Sequence, residues 1–201
     1  MDAFEVMGVE RRLVVSEEEL REAFREAGKR VHPDAGGDEE SFAELQRAFG
    51  VLASPSRRLR HWLELQGVEV AARGSVSDAV SDLFGVVGGV IQAAGEVSRR
   101  IESASSALAL AMLEDESQRS REAVERAIGQ VEAAIGGECA KFPGIETATG
   151  AREMPPDVEA GMEGLPAEAL AEAGETVRTL AFLEKWRAEL RGCYAKLAAP
   201  I

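Results

Sequence analysis

Apolar residues recur at intervals of three and four along most of this chain, and the alternation expected of strands is nearly absent. The pattern predicts an all-α protein. Phe4 and Met7 open a short helix that Gly8 stops. Ser16, followed three residues later by Glu19, is a capping box and marks the start of a longer one. Leu20, Phe24, Ala27 and Val31 give that helix one buried face, and Pro33 ends it. Gly36 and Gly37 let the chain turn back, and Asp38 is suited to cap the next helix. Phe42, Leu45, Phe49 and Leu52 supply the facing stripe, so the two helices should pack as an antiparallel hairpin. A short helix over 56–66 follows Pro55 and adds Leu59, Trp62 and Leu63 to the same core.

Residues 67–74 read as a connector between this unit, 1–66, and a second domain, 75–199, which should fold separately. From Val76 the positions Val80, Leu83, Val87, Val90, Ala94, Val97, Ile101, Ala104, Leu108 and Ala111 keep an unbroken heptad spacing. Asp115 and Gln118 place the expected turn at 113–116. Val124, Ile128, Val131 and Ile135 mark the next helix, which Pro143 and Gly144 should stop. Residues 143–165 read as a long loop. Leu170, Ala173, Val177, Leu180, Leu183, Leu190 and Leu197 stripe the last helix, with Trp186 beside the stripe. Three such helices predict an antiparallel three-helix bundle. A homodimeric coiled coil is the competing use of the first seam. Gly85, Gly88, Gly89 and Gly95 weaken that helix by about 1 kcal/mol each relative to Ala, which favours close packing against neighbours in the same chain.

Charge and composition then exclude several classes of function. A net charge of −13 lacks the basic face that nucleic acid requires. The start MDAFEVMG lacks the order of a secretory signal. The run LFGVVGGVIQAA is shorter than the roughly 20 residues that cross a bilayer, so no membrane partner is expected. Cys139 and Cys193 form no metal or disulfide spacing and suit a reducing cytoplasm. His32 and Asp34 have no third ligand near them in sequence, His61 reads as a surface or packing residue, and GVVGG follows no strand. Neither an enzyme, a metal site nor a cofactor is expected.

The pattern predicts His32, Pro33 and Asp34 at the tip of the first hairpin, with Arg21, Arg25 and Lys29 as a basic row on the helix before it. Alone, the tripeptide is an ordinary turn, and the row is a solvated face with local pairs such as Glu17–Arg21. Together with QRAFGVLASPSRR, they make residues 1–66 resemble the J domain of the DnaJ class of co-chaperones. The resemblance implies docking on an ATP-driven chaperone of the DnaK class and stimulation of its ATPase. It makes His32, Pro33 and Asp34 the required residues, with Arg21, Arg25 and Lys29 on the docking face. Ala35 stands where the family usually has Lys or Arg.

The two-part layout is similar to the HscB family of J-type co-chaperones, through MDAFEVMGV, RLRHWLELQG and ETVRTLAFLEKWR. That likeness implies HscA as the DnaK-class chaperone partner and an iron–sulfur cluster scaffold as client, held by the bundle. Leu83, Phe84, Val87 and Phe182 are the candidate client contacts. The family interleaves acids with these apolar residues, whereas here none lies between Asp82 and Glu96. The alternative is a non-catalytic interaction protein whose J-like domain no longer stimulates a chaperone.

Overall fold

The computed structural model describes residues 1–31, 38–150 and 166–198, which form eight helices and no strand. They divide into two compact units, Met1–Ser75 with Glu138–Leu180, and Val76–Gly137 with Ala181–Ile201. The expected 75–199 domain is therefore shared between two units, a composition that chain order alone does not display.

Four helices of the first unit follow the expected order: α1 (Ala3–Met7), α2 (Glu17–Val31), α3 (Glu39–Leu52) and α4 (Pro55–Leu65). Their ends are set by local chemistry. The Asp2 carboxylate accepts the Phe4 N–H at 2.9 Å, and Gly8 closes α1 at φ 66°, where a side chain would be strained. Ser16 Oγ accepts the Glu19 N–H at 3.1 Å, and Asp38 caps α3 by accepting the Ser41 N–H at 2.8 Å. Pro55 occupies the first turn of α4 behind the Ser54 cap, a position whose N–H has no helical partner in any case. Leu20, Ala27, Leu45, Ala48, Leu52, Leu59, Trp62 and Leu63 are buried together with Phe4 and Met7. Phe24 meets Phe49 across the α2–α3 hairpin at a ring separation of 4.9 Å.

The segment read as a loop from residue 143 is helical at its start. Helix α7 (Phe142–Gly150) takes Pro143 in its first turn, where proline is tolerated, and Phe142, Ile145 and Thr149 are buried. It packs on the J-like helices. Trp62 Nε1–H donates to Thr149 Oγ1, the Leu13 N–H donates to Glu146 Oε1 at 3.4 Å, and Arg58 lies over the Phe142 ring. Residues 151–165, the remainder of the expected loop, lie outside the described residues. The connector is also held: Arg178 donates to the carbonyls of Ser75 (2.8 Å) and Ala71 (3.4 Å), and Ser75 Oγ donates to Glu175 at 2.8 Å.

The second unit is built from α5 (Asp78–Ser103), residues 107–137 of α6 (Ala107–Cys139) and residues 181–198 of α8 (Ala167–Ala198). Val80, Val87, Ala94 and Val97 of the seam are buried, as are Val124, Val131, Ile135, Leu183, Leu190 and Leu197. Cross-links fix antiparallel neighbours: Arg100 with Glu116 (2.5 Å), Arg191 with Glu132 (2.8 Å), and Arg121 with the Leu197 carbonyl (3.3 Å).

Three expectations for this unit need correction. The turn lies at 104–106 rather than 113–116, and Asp115 and Gln118 are inside α6. Ser103 Oγ donates to the Arg100 carbonyl at 3.0 Å there, and Ser106 Oγ accepts the Ala109 N–H at 3.2 Å. The seam accordingly stops short of Leu108, which is 73% exposed. A Cβ placed on Gly85, Gly88, Gly89 or Gly95 meets nothing within 4 Å, so contacts within the chain do not require these glycines. Finally, α5 has 26 residues and a mean hydropathy of 1.3 over its most apolar stretch, long and apolar enough by those measures to cross a membrane. Within the unit, 22% of that stretch is buried.

Candidate functional site

The first candidate site grows from α2. Leu20 and Ala27 anchor the helix inward, which turns Arg21, Arg25 and Lys29 to solvent with 65–69% of each side chain exposed. All three stand in one row, four residues apart. Each also meets a carboxylate of its own helix: Arg21 with Glu17 (2.5 Å), Arg25 with Glu22, and Lys29 with Glu26 (2.5 Å). The Lys29 hydrogen bond and charge hold the Glu26 carboxyl below the usual glutamate range. Such a face can attract an acidic surface through charge-assisted hydrogen bonds. His32, Pro33 and Asp34 lie outside the described residues, between α2 and α3 in sequence.

The second candidate site lies in the other unit. Phe84 on α5 is 66% exposed and Phe182 on α8 is 45% exposed. Both rings lean on Trp186, with centroid separations of 6.1 Å and 6.0 Å. Leu83, the neighbour of Phe84 in sequence, is half-buried. Val87 is not part of this surface: it is fully buried, because it falls one heptad after Val80 and faces the unit's interior. Sequence reasoning missed Trp186 as the group that joins the two phenylalanines, and it missed the exposed Val86. The i, i+4 spacing of Phe182 and Trp186 was the available signal.

His61 is structural. Its Nε2 accepts the Ala3 N–H at 3.0 Å, and its ring stacks on Phe4 at 5.9 Å. An acceptor Nε2 places the proton of the neutral ring on Nδ1. Among the described residues no group of three or more His, Cys, Asp or Glu side chains could hold a metal ion. Cys139 and Cys193 are free and half-buried.

Comparison with known proteins bears on the first site. The family model of the DnaJ domain matches residues 2–61. The N-terminal unit thus contains a J domain, with α2 and α3 as its hairpin. Chaperone protein dnaJ A6 of Oryza sativa subsp. japonica is 46% identical over 55 residues, covering 27% of this chain and 13% of that protein. Chaperone protein DnaJ of Bifidobacterium longum is 32% identical over 95 residues, covering 42% of this chain and 24% of that protein. Chaperone protein DnaJ of Thermoplasma volcanium is 40% identical over 62 residues, covering 28% and 16%. The chain therefore spans less than a quarter of the length of each of these relatives.

Proposed function

We propose that this protein is a co-chaperone that docks through its J domain on a DnaK-class ATP-driven chaperone, stimulates its ATPase, and presents a client carried by the second unit. One observation carries the reading. A J-domain match over residues 2–61 coincides with an exposed cationic row on α2 that leads to His32, Pro33 and Asp34. The cations steer the chaperone's acidic surface, and an aspartate beyond them can engage a basic group. The chain itself catalyses no reaction in this scheme and holds no cofactor; the hydrolysis belongs to the chaperone.

The client surface is Phe84 and Phe182 over Trp186, with Leu83 at its edge. Exposed aromatic anchors backed by a buried ring suit an apolar contact. The likeness to the HscB family supports HscA as the chaperone and an iron–sulfur scaffold as the client, and we propose a cytoplasmic setting. The absence of acids between Asp82 and Glu96 implies weak binding of a basic scaffold.

The test is single-turnover ATP hydrolysis by a purified DnaK-class chaperone, with and without the full-length protein. Stimulation supports the reading. No stimulation at any concentration favours the alternative, an interaction protein with a silent J domain.

A further inference from the structure

The basic row of α2 has an acidic row beside it. Glu18, Glu22 and Glu26 precede Arg21, Arg25 and Lys29 by three residues each, so the two rows run along the helix about 60° apart. Glu22 is engaged by Arg25 and Glu26 by Lys29, and both acids are more than half exposed. Exposed pairs of this kind stabilise a helix by only a few tenths of a kcal/mol. Buried Leu20 and Ala27 already fix α2 in the unit. The effect of these acids on folding is therefore small.

Their effect on an incoming surface is larger. An acidic partner attracted by Arg25 and Lys29 meets Glu22 and Glu26 at the same place, and both cations must leave their intrahelical partners to engage it. The four charges of these two pairs sum to zero, which removes most of their long-range attraction. We propose that Glu22 and Glu26 oppose chaperone docking, and so set the rate and strength of the encounter made by Arg25 and Lys29. This rests on the docking reading above and adds a determinant within that site. Glu17, Glu18 and Glu19 all stand in the first turn of α2, where acids favour the helix itself; Glu17 pairs with Arg21 and Glu19 with Arg12.

The experiment measures association of the full-length protein with a purified bacterial DnaK-class chaperone in ATP, by rapid mixing over a range of salt. Glu22→Gln with Glu26→Gln should raise the association rate by about threefold to tenfold at low salt and steepen its salt dependence. Glu102→Gln with Glu114→Gln makes the same change in net charge on exposed positions elsewhere. It should leave the rate within about twofold. An unchanged or slower rate for the α2 variant overturns the inference while ATPase stimulation by the wild type keeps the functional reading intact. An equal gain from the Glu102/Glu114 variant also overturns it, because net charge would then explain the result. Absence of any stimulation by the wild type overturns the functional reading, and the inference with it.

Discussion

The indole N–H of Trp62 donates to the hydroxyl of Thr149 at 3.0 Å, and that hydroxyl donates onward to the Ile145 carbonyl at 2.6 Å. Both side chains are buried, and 87 positions of sequence separate them. The bond ties α4 of the J domain to α7 and satisfies a donor that has no access to water. Thr149→Val keeps the volume and leaves the indole unpaired, so it should cost about 1–3 kcal/mol. Thr149→Ser should cost less. Thermal denaturation of the full-length protein checks this, and a Thr149→Val protein that melts like the wild type would show the bond contributes nothing.

The same helix bears on whether the J domain stands alone. Residues 1–66 have their own apolar stripes, but the intact unit also covers them with Phe142, Ile145 and Thr149. A chain cut to residues 1–66 should keep helix by circular dichroism and melt well below the full-length protein, since so small a core is marginal. Equal melting temperatures would make α7 dispensable.

At the aromatic surface, exposure separates the proposed client contacts from packing. Phe84→Ser and Phe182→Ser should leave the melting temperature nearly unchanged and weaken client binding, at roughly 2 kcal/mol for each anchor. Val87→Ala should do the reverse, costing on the order of 2 kcal/mol of stability by opening a cavity. Calorimetry with an iron–sulfur scaffold, alongside thermal melts, checks both. A large loss of stability on Phe84→Ser would mark it as core.

His32→Gln should abolish ATPase stimulation and leave helicity and melting unchanged. In the proposed function this histidine contacts the chaperone. Full stimulation by the variant would remove the motif from the mechanism.

Acid stability has an identifiable contributor in Asp2. Burial opposes its ionisation, but the N–H groups of Glu5 and Phe4 and the Arg11 guanidinium outweigh that and hold the carboxyl below the usual aspartate range. A depressed folded value contributes stability that is fully present above the unfolded value and is lost as pH falls through the folded one. The loss should be confined to pH below the usual aspartate range. Asp2→Asn keeps a good helix cap and should flatten that acid limb in melts taken as a function of pH. An identical acid profile in the variant would assign the limb to other carboxylates.

Sequence alone carried the local part of this structure. Ser16 with Glu19, Asp38 and Gly8 each mark a helix end through bonds or dihedrals spanning a few residues, and all three appear where the pattern puts them. The stripes Leu20–Ala27, Leu45–Leu52 and Leu183–Leu197 are legible for the same reason, because one buried face repeats every 3.6 residues whatever covers it. The J domain was legible because its motif and basic row are contiguous.

Tertiary structure decided what covers each face. The heptad spacing runs on through Leu108 and Ala111, so periodicity could not reveal the turn at 104–106; burial did, by leaving Leu108 in solvent. Leu83, Phe84 and Val87 are equally apolar, and only packing makes the first half-buried, the second exposed and the third fully enclosed. No sequence window contains both Trp62 and Thr149, or His61 and the Ala3 N–H it accepts. Hydrogen bonds between distant residues depend on where whole helices are brought together, and that is a property of the packed core.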